Sequence, residues 1–411
     1  MRAAEKRKQG TSGTMSFDHL SEAEHQKLDK AAATMVYDAG LPLSFFEHIS
    51  VKAFFQQLRP AWHPPSREML SESLLDDVYD DTKKEVDSYL DTQDYLNCCF
   101  DESTNIKGDR VMNLSLSTEK GAFFDSNIDL GAATVSAEFC ADLAEKRLQT
   151  ITRGKMSRVN SLCTDTCSPM LSALRQLKQR PDLQHTFTIP CDPHGLQLLI
   201  QDICEDAAYK ELVTAANMIV GFLKNAKKQY QIFKEIQRAL YKGKCYSLKL
   251  SCHVRWGTYS GEFERLLLTA TALKDWTRDP RITGEAHQSQ KLRTVIDFLQ
   301  NPRFWLHLAE LSDTISPIYK YQVMAQTDHA HIGYVRGRWD AIWEHLKQCA
   351  GRATFGDYSR LWPVLEQRKR RQLSPLHTLA HWLMPQTILT SRFSPGKSPS
   401  FIRVRSTNQC R

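Results

Sequence analysis

Apolar residues recur at every third or fourth position over most of the second half of the chain, which is the period of amphipathic helices. The pattern is nearly continuous between 205 and 350, and its first run stops at Gly243. The pattern therefore predicts an α-helical domain over this range. The apolar positions of the first run are Leu212, Ala215, Ile219, Phe222, Ala226, Tyr230, Phe233, Ile236 and Leu240.

The segment before this domain has the period of β-structure. Short strand-like runs at 95–100, 111–116 and 122–124 are separated by the turn-rich stretches TNIKGD and STEKG, as in a β-meander. A helical face follows, and the stretch RVNSLCTD after it is typical of a fourth, buried strand. This order predicts an α/β fold with a ribonuclease-H-like mixed sheet. The apolar positions of the helical face are Val135, Phe139, Leu143 and Leu148.

The two ends of the chain have weaker patterns. Residues 1–40 are polar, with few aromatic side chains, and predict a disordered arm followed by a short helix. An amphipathic helix ending before Pro60 and a second helix, SESLLDDVYDDTKKEVDSYL, come next. Residues 387–411 are rich in Ser, Arg and Pro and predict a low-complexity tail. The apolar positions of the helix before Pro60 are Phe45, Phe46, Val51, Phe54, Phe55 and Leu58.

The composition is that of a globular protein with a substantial core. The chain has 411 residues, of which 41% are hydrophobic and 9% aromatic. It shows no apolar run long enough to span a bilayer and no secretory signal, so we expect a nuclear or cytosolic protein with no membrane association. The 11 cysteines are then expected to be free thiols. The net charge of +7 permits a polyanionic partner such as DNA without requiring one.

Two aspartates stand at the ends of predicted strands, Asp101 after the first and Asp165 after the fourth. If these strands are neighbours, the two carboxylates meet at one edge of the sheet. Hard oxygen ligands at such an edge could hold Mg²⁺ ions against a phosphate. Asp is also a common turn residue at strand ends, and the spacing alone favours that simpler role.

The stretch CDPH places Cys191 and His194 three residues apart at the start of a helical run. Together with Cys163 and Cys167 they could complete a zinc site, although structural zinc sites favour more closely paired ligands. The spacing also imitates half of a deaminase signature, but the chain contains no H-x-E motif. Packing of a half-buried Cys beside a hydrogen-bonded His is the remaining alternative.

Motifs of other catalytic classes are absent. The chain contains no glycine-rich phosphate loop, no G-x-S-x-G and no H-E-x-x-H. The compact basic run Arg368, Lys369, Arg370 and Arg371 could be a nuclear import signal, a phosphate-contacting patch or an ordinary solvated helix surface.

Four stretches follow one another in a fixed order: CCFDESTN with NLSLSTEKGAFF, RVNSLCTDTCSPM, IPCDPHGLQLLIQDI and SCHVRWGTYS. In this order they resemble hAT-superfamily transposase relatives, specifically those that carry a domain of unknown function before a helical insertion. The resemblance implies a ribonuclease-H-like core interrupted by a large α-helical insertion. It places the core and its flanking helices at 41–204, the insertion at 205–350 and an incomplete return to the core at 351–386.

The resemblance also implies roles for individual residues. Members of this superfamily cut and join DNA with a D-D-E triad that holds Mg²⁺ or Mn²⁺, and Asp101 and Asp165 match its first two carboxylates. Cys191 and His194 match a C-x-x-H motif that shapes the active site.

At the start of the insertion, Arg255 and Trp256 match an R-W pair whose Trp is associated with base stacking. The partner that this pair implies is DNA.

The sequence departs from the superfamily at several positions. Glu102 and Ser103 stand where Gly-Trp usually follows the first Asp, and we assign no residue to the third carboxylate. No Cys precedes Cys98, so the N-terminal zinc finger of the superfamily is not found. The C-terminal dimerisation helices of the superfamily are not found either. A homo-oligomer is nevertheless still possible. We therefore expect a truncated, catalytically incomplete transposase-like protein in the nucleus, with weak, salt-sensitive DNA binding and no zinc. The alternative is a non-catalytic nuclear factor that contacts DNA and proteins, with the cytoplasm as the alternative location.

Overall fold

The computed structural model describes residues 19–131, 136–251, 258–287, 289–327 and 330–385. These residues form two compact units with a boundary between Asp94 and Tyr95. No helix in the described ranges has the length and apolar character needed to cross a membrane.

The first unit is helical. Its core comprises small and aromatic side chains that include Ala33, Phe46, Trp62 and Leu70. The Trp62 indole N–H donates to the buried Asp29 carboxylate at 2.8 Å, so the polar end of this core side chain is satisfied. Its helices are α1 Glu22–Asp38, α2 Ile49–Leu58, α3 Arg67–Ser71 and α4 Ser73–Asp91, with a 3₁₀ turn at Phe45–Glu47.

This unit refines two expectations. The described part of segment 1–40 contains α1, a helix of 17 residues that a capping box opens at Ser21. The helix expected to end before Pro60 is interrupted at His48, whose extended backbone separates the 3₁₀ turn from α2. Phe46, in the 3₁₀ turn, is buried, whereas Phe54, on α2, is exposed.

The second unit begins with a five-stranded mixed sheet in the order β3-β2-β1-β4-β5. β1 pairs antiparallel with β2 and parallel with β4; β2 and β3 are antiparallel, and β4 and β5 are parallel. This mixed sheet confirms the predicted α/β fold class and is consistent with a ribonuclease-H-like core. The strands are β1 Leu96–Thr104, β2 Arg110–Thr118, β3 Gly121–Asp129, β4 Val159–Thr164 and β5 Phe187–Pro190, with α5 Ala137–Thr152 and α6 Ser168–Gln179 as the intervening helices.

The rest of the second unit is helical. One continuous hydrophobic core extends from Leu196 to Leu365, so the region predicted as an insertion shares its core with the helix before it and the helix after it. The helices are α7 Asp192–Glu205, α8 Lys210–Asn225, α9 Lys227–Leu240, α10 Thr258–Leu268, α11 Ala270–Trp276, α12 Pro280–Ala286, α13 Gln290–Gln300, α14 Pro302–Met324, α15 Ile332–Arg352, α16 Tyr358–Gln372 and α17 Pro375–Leu383.

The apolar run that stops at Gly243 forms two helices, which are separated at Ala226. The backbone of Ala226, with φ −91° and ψ 82°, leaves the helical conformation between α8 and α9. The apolar period continues across this break, so the period alone did not reveal it. Gly243 has a φ of +81°, a conformation that glycine adopts without strain, and follows the C-terminal end of α9.

Candidate functional site at the acidic edge of the sheet

The two predicted aspartates lie next to each other at the end of the β1 and β4 ladder. Phe100 pairs with Thr164 as the last register pair, so Asp101 is the next residue of β1 and Asp165 is the first residue after β4. Side chains alternate between faces along β1, and Asp101 shares its face with Asn97 and Cys99. The parallel pairing therefore brings together two carboxylates that are 64 positions apart in the sequence.

The proximity of the two carboxylates changes how Asp101 ionises. Partial desolvation raises the pKa of Asp101 above its ordinary value, and the charges of Asp165 and Glu102 raise it further. The side chain nevertheless remains open to solvent. A cation arriving from solvent can therefore reach the pair and would relieve the repulsion within it.

Asp165 also has the simpler role that the sequence allowed. Its Oδ1 accepts a hydrogen bond from the Cys167 N–H at 3.3 Å, one residue before α6 begins. The turn role and the paired-carboxylate role therefore coexist in one side chain.

The donor set fits one hard cation better than two. Within the described ranges, no group of three or more His, Cys, Asp or Glu side chains is placed to hold a metal ion. Asp101 and Asp165 alone offer the one or two carboxylates with which proteins commonly hold Mg²⁺ when substrate phosphate and water complete the shell. Among the described residues, the four side chains that we considered as zinc ligands do not form such a group either. They are Cys163, Cys167, Cys191 and His194.

The C-D-P-H stretch begins α7 beside the acidic pair. The N–H of Cys191 donates to the carbonyl of Thr164 at 2.8 Å, which continues the β4 and β5 pairing up to the helix. Burial raises the pKa of the Cys191 thiol to about 12, so this side chain is a neutral thiol near pH 7. A neutral, largely buried thiol of this kind packs as a small apolar side chain and is a poor nucleophile.

His194 lies within electrostatic range of the acidic pair. Burial lowers its pKa and a nearby Arg368 lowers it further, whereas the charge of Asp165 acts in the opposite direction. The net result is an imidazole that is neutral near pH 7. Arg368, on α16, forms a two-pronged ion pair with Asp202 of α7, at 2.5 and 3.0 Å. In the sequence, Arg368 stands out only as part of a basic run.

Asp192, between the two motif residues, makes the strongest contacts of the stretch. Its carboxylate pairs with Arg338 and accepts a hydrogen bond at 2.8 Å from the indole N–H of Trp339, both on α15. All three side chains are buried. Sequence reasoning missed this anchor because its partners lie almost 150 positions away and no local pattern marks them.

Two buried glutamines complete the attachment. Gln322 of α14 donates to the carbonyl of Pro193 at 3.2 Å, and Gln372 of α16 donates to the carbonyl of Pro190 at 3.0 Å. Gly195 gives Gln372 its room, since a Cβ at Gly195 would lie 2.1 Å from the Gln372 amide oxygen. The C-D-P-H stretch is thus the point where three helices hold the end of the sheet.

The remaining predicted residues divide into two groups. Arg255 and Trp256 lie outside the described residues, which resume at Thr258 with α10. In the basic run, Lys369 pairs with Asp340 at 3.0 Å and lies over the Trp343 ring, while Arg370 and Arg371 are exposed. Arg370 forms an exposed ion pair with Glu366 at 3.4 Å, so Arg371 and the solvent-exposed Arg370 are the members of the run most open to a partner. The proposed roles of the run remain predictions.

Comparison with known proteins identifies one domain. Residues 65–219 match the family model described as Domain of unknown function (DUF659). No curated protein matches the chain significantly. The sheet, both aspartates and the C-D-P-H stretch therefore lie within a segment that matches DUF659, a domain that occurs in hAT-like transposase-related proteins.

Proposed function

We propose that the protein is a hAT-type transposase-like DNA-binding protein whose acidic pair does not support transposition. The observation that carries this proposal is the side-by-side placement of Asp101 and Asp165 in a ribonuclease-H-like sheet, to which the described residues add no third metal ligand. The DUF659 match supports the transposase-like part of the proposal.

The residues present would hold one divalent cation. Asp101 and Asp165 would be its protein ligands, and the ion would polarise a phosphate oxygen when bound. The neutral His194 imidazole, close to Asp165, can accept or donate one hydrogen bond near pH 7. Loss of one member of an interdependent catalytic set commonly lowers the rate by about three orders of magnitude or more. Two carboxylates without a third are therefore expected to bind metal and DNA without efficient strand transfer.

A cleavage assay tests the catalytic part of this proposal. Purified protein is incubated with labelled duplex DNA and Mg²⁺ or Mn²⁺, beside an Asp101→Asn variant that lacks one metal ligand. We expect no strand cleavage or transfer above the variant. Cleavage by the wild-type protein that the substitution abolishes would show that the catalytic set is complete and would overturn this part of the proposal.

A cleft in the helical region supports the DNA-binding part. Lys224 and Lys249, both exposed, line a cavity of about 450 Å³ together with Tyr319, Thr258 at the start of α10, and one carboxylate, Glu264, so the charged lining is two cations to one anion. Two cations beside an aromatic ring suit a nucleic-acid strand, because phosphates contact the cations and bases stack on the ring. The cleft lies next to the R-W pair in the sequence, at the start of the predicted insertion.

The second candidate function is a non-catalytic nuclear factor that contacts other proteins. It is favoured by α17, whose side chains Leu379, Trp382 and Leu383 are all more than half exposed. For either function we propose a nuclear location, for which the exposed Arg370 and Arg371 are the candidate signal. A fluorescent fusion that stays nuclear when both arginines are replaced by Ala would refute that assignment.

A further inference from the structure

We propose that Cys99 and Cys163 are a redox-sensitive modification site at which a mild oxidant forms a disulfide between β1 and β4. This inference does not depend on the proposed transposase-like function. It rests on the placement of the two thiols in the sheet.

The pairing of the strands places the two cysteines directly opposite each other. Cys99 and Cys163 are register partners in the parallel β1 and β4 ladder. Neighbouring strands lie about 4.8 Å apart, which is inside the range of roughly 4.4–6.8 Å between the Cα atoms of disulfide-bonded cysteines. Neither strand therefore has to move far for the bond to form.

The side chains of the pair also point to the same face. Two positions earlier, Asn97 and Ser161 are also register partners. A side-chain hydrogen bond of 2.8 Å joins them, so their side chains lie on the same face of the sheet. Side chains two positions further along each strand return to that face. The side chains of Cys99 and Cys163 therefore lie next to each other on one face of the sheet.

Cys99 and Cys163 are more exposed to solvent than the neighbouring Cys98. Cys99 and Cys163 are half-buried, whereas Cys98, on the opposite face of β1, is completely buried. We therefore expect a small oxidant to reach this pair more readily than Cys98. Cys191 is a half-buried third thiol near both and is the competitor that a test must distinguish.

The reaction balances with hydrogen peroxide as the oxidant. One thiol attacks the peroxide and becomes a sulfenic acid while one water molecule leaves. The second thiol then attacks that sulfur, the S–S bond forms, and a second water molecule leaves. The two sulfurs together lose two electrons and two protons, and a dithiol reductant restores both thiols.

The position of the bond gives it a consequence for the acidic edge. Cys99 precedes Asp101 by two residues along β1, and Cys163 precedes Asp165, the first residue after β4, by two residues. The disulfide would therefore fix β1 to β4 immediately beside the two carboxylates. Oxidation would change the distance between the Asp101 and Asp165 carboxylates and their mobility.

The test uses the full chain with Cys98→Ala and Cys167→Ala. In this background each of the tryptic peptides 85–107 and 159–175 contains one cysteine, because cleavage follows Lys84, Lys107, Arg158 and Arg175. The folded protein is treated with a small excess of peroxide, alkylated, digested and analysed by mass spectrometry. We expect one cross-linked peptide pair, the loss of both thiols from alkylation, and full recovery after dithiothreitol.

Two controls make the result decisive. Cys191→Ser should leave the cross-link unchanged, and Cys163→Ser should abolish it. The wild-type chain, in which fragment ions locate the bond, covers the case that a substituted chain does not fold. A cross-link to Cys191, or oxidation of Cys99 and Cys163 to sulfinic acids without a cross-link, would overturn the proposal.

Discussion

At the scale of single residues, Asp192 holds the end of the sheet to the helical region through a buried ion pair with Arg338. Removing one partner of a buried pair leaves an uncompensated charge, which commonly lowers stability by roughly 3–5 kcal/mol. We therefore expect Asp192→Ala to lower the free energy of unfolding of the second unit by about that amount. Urea unfolding followed by tryptophan fluorescence measures the change.

The matched control is Glu344→Ala on α15, the same helix that carries Arg338. Glu344 and Lys347 form an ion pair in which both side chains are more than half exposed. Exposed pairs contribute about 0–1 kcal/mol, so this variant should unfold near the wild-type midpoint. Equal losses in the two variants would mean that the Asp192 pair is no more important than a surface contact.

Glu262 is the second residue with a large expected effect. It is completely buried on α10, neither of its carboxylate oxygens has a hydrogen-bond partner among the described residues, and burial raises its pKa to about 7. Because the folded pKa is raised, the stability contribution is fully present below the unfolded pKa of about 4.3. It is lost as the pH rises towards 7.

The expected effect of Glu262→Gln follows from this loss of stability as the pH rises. The amide is neutral at every pH, so the variant escapes the loss, and its advantage over wild type should grow by about 3 kcal/mol between pH 4 and pH 8. Denaturant unfolding at the two pH values measures this difference. Glu264→Gln, on the exposed side of the same helix, should show no such growth. A constant difference for Glu262→Gln would contradict the buried, protonated state.

At the scale of elements, the start of α7 brings Gly195 close to the buried side chain of Gln372. A Cβ at Gly195 would lie 2.1 Å from the Gln372 amide oxygen, and Gln372 would have to release the carbonyl of Pro190. We expect Gly195→Ala to destabilise the protein by about 1–3 kcal/mol, from overpacking and the lost hydrogen bond.

A second glycine provides a control, because its replacement by Ala should raise stability. Gly221 lies inside α8, and a Cβ added there would meet nothing within 4 Å. Ala stabilises a helix interior relative to Gly by about 0.5–1 kcal/mol, so Gly221→Ala should raise the thermal midpoint that Gly195→Ala lowers. If both variants gained stability, the Gln372 contact would carry no energetic weight.

Local sequence patterns predicted most helices and strands, but they did not predict the contacts between elements that are distant in the sequence. The β-meander, α5 and β4 follow from periods within ten to twenty residues, and the Asp101 and Asp165 pair followed once β1 and β4 were assumed to be neighbours. The break at Ala226 did not follow, because it depends on backbone conformation rather than on the apolar period. The partners of Asp192 did not follow either, since one chain alone gives no signal for pairing at such separation.

At the scale of the whole molecule, the excess of positive charge matters only where cations are free to meet phosphates. The net charge is +7, but many basic side chains are already paired, such as Lys228 with Glu285 and Lys347 with Glu344. Lys224 and Lys249 line the cleft and form no ion pair with any described residue. Non-specific DNA affinity is therefore expected to concentrate at the cleft rather than to follow the net charge.

We expect weak binding to duplex and single-stranded DNA that declines steeply with salt. Each phosphate contact contributes about 0.9 to the slope of log affinity against log salt for duplex DNA. Lys224→Gln with Lys249→Gln should reduce that slope by up to about two. Lys228→Gln with Lys347→Gln removes the same charge from paired positions and should change it less. Fluorescence anisotropy between low and physiological salt measures all three proteins. Affinity that does not respond to salt, or equal effects of the two double variants, would rule out the cleft as the DNA contact and leave the protein-interaction function as the better account.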